Sequence, residues 1–157
     1  MVTTSIEANR IACLVCRVGM RLCALPLSQV IETMRPLPLE PFAGTPQFVK
    51  GLSIIRGTAI PVVDAGRLFG EPDTATERLV TVDVGNRHLA LAVDGVIGVQ
   101  DFAVESLDDL PALVREAAGD IVSAIGVLDG DLLLLMGSAR IVPEALIAAL
   151  DEAGQVS

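Results

Sequence analysis

A chain of 157 residues that is 52% hydrophobic can fill one globular unit or two small lobes around a shared core; with only 3% aromatics, Val, Leu, Ile and Ala must pack it. A net charge of -9 excludes nucleic acid and anionic membrane surfaces as natural partners, because both are bound through clustered Lys and Arg. There is no apolar run of about 18 residues and no signal-peptide pattern at the start, so no membrane insertion and a cytoplasmic address are expected.

Strand signals dominate. The segments 11–18 (IACLVCRV) and 21–26 (RLCALP) flank Gly19 and Met20 and predict a hairpin. Pro26 then opens a stretch, 26–34, in which Leu27, Val30, Ile31 and Met34 recur at helical spacing, and a short helix is predicted there. Residues 35–48 are Pro-rich and read as a long ordered loop or irregular strand. Two strands follow, 49–57 (VKGLSIIRG) and 58–66 (TAIPVVDAG), with the turn at Arg56-Gly57. GRLFG (66–70) reads as a helical turn and 71–77 as a polar linker. Segments 77–85 and 87–95 then predict a hairpin turning at Gly85-Asn86, and 114–120 a helical or loop piece. Segments 121–130 and 131–137 predict another hairpin, turning at Asp129-Gly130-Asp131. A closing helix over 143–153 has Pro143 in its first turn.

The second half repeats the first. Laying 18–31 (VGMRLCALPLSQVI) over 84–97 (VGNRHLALAVDGVI) matches Val18 with Val84, Arg21 with Arg87, Ala24 with Ala90, Val30 with Val96 and Ile31 with Ile97, without a gap. The later hairpins echo as well, turn Gly57 corresponding to Gly130. Two copies of a β-unit of roughly 65 residues are implied, each marginal alone and so sharing one core. The whole of 1–157 is read as one domain, with lobes at approximately 18–75 and 84–142 completed by the first strand and the last helix.

Equipment for catalysis is sparse. His88 is the only histidine and reads as a solvated strand residue rather than a general base. Cys13 and Cys16 have redox-motif spacing, but on a strand positions i and i+3 face opposite ways, so the three cysteines, Cys23 included, read as structural thiols. No catalytic residue, metal site or cofactor is expected: phosphate loops are missing, Asp108-Asp109 reads as a solvated loop, and Asp129 and Asp131 belong to a turn. PLPLEP (36–41) could be a polyproline ligand but reads as a loop. A binding module is favoured; an enzyme reading would be a thiol redox protein using Cys13 and Cys16.

One motif is more specific. Gly51, Ile54, Ile55, Arg56, Gly57, Pro61, Val63 and Asp64, with Val30 and Glu32 upstream, the Thr45–Gly51 lead-in and the Ala92–Val96 stretch, resemble the CheW-type chemotaxis coupling proteins over about residues 10–150. Two positions depart from that pattern: Ile54 stands where the family usually has Asn, and Ala65-Gly66 where it has Leu-Arg. The resemblance implies a mainly β fold: two SH3-like five-stranded β-barrel lobes sharing a hydrophobic core, with short helices and a C-terminal helix. It implies a non-enzymatic cytoplasmic adaptor coupling chemoreceptor tips to the regulatory domain of a histidine kinase. A scaffold of a non-chemotactic pathway, such as pilus motility or gene regulation, is the alternative.

Site residues follow from the resemblance. Val30, Glu32, Arg56, Val96 and Val99 are expected to bind the receptor, and Lys50 and Gly51 the kinase. Val30 and Val96 are repeat-related and are expected to flank a groove between the lobes. Arg56 is expected to face the receptor helix with no mate in its own chain.

Overall fold

Short apolar runs, several of them ended by a glycine turn, become strands in this computed structural model, which describes residues 10–41, 44, 47–70, 76–83, 87–109, 112 and 122–136. These form β1 (Arg10–Val18), β2 (Arg21–Pro26), β3 (Val30–Met34), β4 (Val49–Ile55), β5 (Thr58–Asp64), helix α1 (Ala65–Leu68), β6 (Arg78–Asp83), β7 (His88–Val93), β8 (Gly95–Ala103), β9 (Val122–Leu128) and β10 (Asp131–Met136). The expected turn at Gly85-Asn86, the piece at 114–120 and the closing helix at 143–153 lie outside the described residues.

Two five-stranded sheets result, ordered β8-β1-β2-β10-β9 and β3-β6-β7-β5-β4. Replacing each strand by its repeat counterpart turns one order into the other, as a duplicated unit requires. The sheets nevertheless do not follow the copies in sequence. The hairpin β1–β2 leaves its own copy and joins β8, β9 and β10, while β6–β7 joins β3, β4 and β5. Parallel pairing of β2 with β10 and of β5 with β7 makes each exchange.

Period-two alternation explains why both faces of the central strands are apolar. Leu14, Cys16 and Val18 of β1 meet Leu89, Leu91 and Val93 of β7 in a core shared by both sheets. Cys13 and Val15 point the other way, into a core private to the first sheet with Leu22 and Leu133. Ile55, Ile60, Val62 and Ala90 fill the private core of the second. The shared core and the twin five-stranded sheets are the two-lobe β architecture expected.

The helix predicted over 26–34 is a correction. Only Leu27–Gln29 make a single 3-10 turn, and Val30–Met34 are strand β3. Three β-branched residues, Val30, Ile31 and Thr33, disfavour a helix, and β6 offers an edge along which Glu32 pairs with Thr81 and Met34 with Leu79. The helical turn expected at 66–70 is present as α1, begun by Asp64, whose side chain accepts from the Arg67 N–H at 3.3 Å.

The Pro-rich segment covers an edge. Glu40 exchanges two backbone hydrogen bonds with Leu52 of β4, at 2.8 and 2.9 Å, and the Ser53 hydroxyl donates to the Pro38 carbonyl at 2.9 Å. An edge strand that would otherwise expose unpaired backbone groups is thereby closed. No helix among the described residues is long and apolar enough to cross a membrane.

Candidate functional site

The β4–β5 hairpin turns on Arg56 (φ 50°) and Gly57 (φ 80°), two positive-φ positions in succession, the pattern of a type I′ turn. Glycine takes this conformation freely, whereas arginine takes it at a cost that Asn or Gly would avoid. The corresponding turn of the other sheet, Asp129 (φ 52°) and Gly130 (φ 84°), places an acid in the same backbone state. A bulky cation where the turn itself prefers a small residue points to a use for the side chain.

The Arg56 side chain is 77% exposed, yet it is paired within its own chain. Its Nε donates to Glu32 Oε2 at 2.6 Å and its Nη2 to Oε1 at 2.9 Å. The expectation of a guanidinium without an internal mate is therefore overturned. The cause is curvature: β3 and β4 are the two edges of one sheet, and the sheet curls until Glu32 on β3 faces the turn beyond β4. A bidentate fork is the geometry that arginine, not lysine, supplies. This pairing holds the Glu32 carboxyl below its ordinary range, the hydrogen bond from Arg56 being the largest cause. The pair's contribution is thus present above the unfolded carboxyl's titration and is lost as pH falls through the lowered value. Both ends face water, so it sets register more than stability.

Beside this pair the curled sheet leaves a groove of about 210 Å³. Ile31, Ile55 and Ile60 provide its apolar surface. Thr58, Thr81 and His88 complete the lining together with Glu32 and Arg56. Arg56 and Glu32 are the two expected site residues that the fold brings together. Val30 shares a strand with Glu32 but is half-buried on the shared core, and Val96 packs on that core from the other sheet. They do not stand out as apolar walls; their outward neighbours do, Ile31 at 44% and Ile97 at 53% exposure. Val99 lies on β8, the edge of the other sheet, and is 57% exposed. Ile54, where the resembled motif has Asn, is 63% exposed on the outer face of β4.

Lys50 and Gly51 have internal accounts. Lys50 Nζ donates to Thr76 Oγ1 at 3.0 Å. Gly51 is buried at a β-bulge with φ 145°, under the Glu40 carbonyl, so it presents no surface of its own. Sequence reasoning missed His88, Thr58, Thr81 and the three isoleucines as one lining. Only Ile31 left a signal, its identity with Ile97 in the repeat.

The cysteines are not a redox pair. All three are free and buried, with Cys13 and Cys16 facing different cores. Burial pushes Cys13 up to about 11, with Asp101 adding to it, pushes Cys16 up to about 12, and raises Cys23 well above the ordinary thiol range. A thiol-specific disulfide reagent at pH 8 is expected to label none of the three in the folded protein and all three after denaturation. Labelling of the folded state at the rate of a free thiol would show that these cores open. Among the described residues no group of His, Cys, Asp and Glu converges as metal ligands would.

The CheW-like domain model matches residues 12–145. The chain is 24% identical over 112 residues to the chemotaxis protein CheW of Klebsiella aerogenes, covering 69% of this chain and 68% of that protein. It is 29% identical over 101 residues to protein PilI of Pseudomonas aeruginosa, covering 62% of this chain but only 57% of the relative. The crystal structure of the scaffolding protein TtCheW from Thermoanaerobacter tengcongensis superposes with a TM-score of 0.72 at 23% identity, over 81% of this chain and 88% of that one, and so shares the fold. With the family model spanning both sheets, the chain belongs to the CheW-like family, whose members are non-enzymatic scaffolds of chemotaxis signalling.

Proposed function

We propose that this protein is a cytoplasmic adaptor that holds a chemoreceptor tip and the regulatory domain of a histidine kinase at the same time. The receptor contact is assigned to the curled sheet around Arg56, with Glu32 and Val30 on the neighbouring edge strand and Val96 and Val99 extending it across β8. The observation that supports this best is Arg56 itself: an exposed, positive-φ arginine, fixed in direction by a bidentate carboxylate, beside an apolar groove. The kinase contact is assigned to the β4 entry, through Lys50 and the surface that Gly51 shapes from beneath.

Linking two weak contacts raises effective concentration, so each need be no tighter than about micromolar. Size-exclusion chromatography of the full chain with a receptor-tip hairpin and the kinase regulatory domain is expected to give one ternary peak. Two separate binary complexes that exclude one another would overturn the adaptor reading. The resemblance to PilI favours a second reading, a scaffold of the same build in a non-chemotactic pathway. Deleting the gene separates the two: loss of swimming chemotaxis supports the first, loss of surface motility alone the second.

A further inference from the structure

His88 has no part in the reading above, and its position argues for one. It opens β7, is exposed, and forms no side-chain hydrogen bond among the described residues. Parallel pairing sets Val62 of β5 beside Ala90 of β7. Two residues back on each strand, the same register puts Ile60 beside His88, on the face that looks into the lobe. The imidazole therefore stands at the open mouth of the curled sheet, next to the groove's apolar surface.

The other polar groups there are largely committed. Thr81 Oγ1 accepts from the Glu32 N–H at 3.2 Å and lies 3.3 Å from the Glu32 carbonyl, to which it donates. Both Glu32 oxygens are taken by Arg56. The guanidinium has five N–H donors and spends two on Glu32. What the rim still offers a guest is the three remaining N–H groups of Arg56, the His88 imidazole and the Thr58 hydroxyl, with Asp83 of β6 paired across from His88 and the chain as a whole at a charge of -9. The volume of about 210 Å³ lies below the range of small-molecule sites and suits one large side chain.

We propose that this groove seats a single large apolar side chain of a partner helix, and that His88 selects partners carrying a carboxylate one helical turn from it. Side chains three or four apart on a helix are about 5–6 Å from each other. Neighbouring strands are about 4.8 Å apart, so a knob against Ile60 brings such a carboxylate to His88. The inference rests on the receptor-groove reading.

The test titrates the full chain with the cytoplasmic tip hairpin of a chemoreceptor from the same cell, by calorimetry. Thr58→Trp fills the mouth of the groove, and His88→Glu opposes a carboxylate; each is expected to weaken binding by about tenfold or more. His88→Lys keeps a donor and is expected to stay within about threefold of the parent. Binding of the kinase regulatory domain is expected to be unchanged in all three, and His88→Glu decides should Thr58→Trp unfold. If Arg56→Glu loses the receptor tip while both groove variants bind it as the parent does, the socket is overturned and the receptor reading stands. If Arg56→Glu binds normally, the receptor reading fails and the socket falls with it.

Discussion

Gly51→Ala is expected to destabilise the protein by about 2–4 kcal/mol, far more than one added methyl group costs at an exposed position. At φ 145° the new Cβ would lie 2.5 Å from the Glu40 carbonyl oxygen, 3.0 Å from its carbon and 3.1 Å from Pro41 Cα. All three are backbone atoms, so no rotamer relieves the clash. Glu40 is meanwhile held by its two hydrogen bonds with Leu52. Either that clasp breaks or the bulge between Val49 and Gly51 straightens and shifts the register of β4. Gly57→Ala is the control: φ is 80°, but nothing lies within 4 Å of its Cβ. Only the conformational cost of about 1 kcal/mol should appear there. Chemical denaturation of both variants measures the difference. Equal losses would mean that the covering segment 35–41 is not clasped to β4 in solution.

The second large effect is on recruitment. Arg56→Glu is expected to leave the fold intact and reduce receptor-tip binding by at least about a hundredfold, because it sets a second carboxylate beside Glu32 at the groove. The internal pair raises a rival explanation, that Arg56 serves only to neutralise Glu32. A charge swap separates them. In Glu32→Arg/Arg56→Glu the ion pair is restored in reverse, and its cross-seam register with it. Binding that stays lost in the swap identifies Arg56 as a contact; binding that returns would reduce it to a strut for β3. Arg56→Asn adds a check, since Asn suits the left-handed turn position. It should be at least as resistant to heat as the parent and still bind poorly. A thermal melt and a titration on one sample test both halves of that statement.

Much of this molecule could be read before its shape was known, because its strands are short apolar runs and several of its hairpin turns are marked by glycine. Gly19, Gly57 and Gly130 each sit at positive φ in the turns expected of them. The shared core was implied by a repeat too small to stand alone, and Leu14, Cys16 and Val18 of β1 with Leu89, Leu91 and Val93 of β7 build it. Residues 26–34 misled because Leu27, Val30, Ile31 and Met34 fit a helical period by coincidence, while the partner that makes Val30–Met34 a strand, β6, lies some fifty residues away. The site was half legible. Arg56 and Glu32 were marked by a motif, but their mutual pairing depends on how far a sheet curls, and nothing local encodes that. His88 gave no sign at all; its relation to Ile60 is a matter of parallel register between strands from different copies.

The exchanged hairpin has a consequence for how the chain is made. Strands β3 to β7 are contiguous in sequence and complete one sheet by Val93, whereas β2 must wait for β10, whose Leu133 pairs with Leu22. On the ribosome, the sheet bearing the Arg56 turn can therefore assemble while β1 and β2 still lack β8 to β10 beside them. Those early strands, apolar on both sides, have one shelter in the meantime: the newly formed wall of Leu89, Leu91 and Val93. The shared-core face of this first sheet is thus the template on which the rest of the polypeptide condenses.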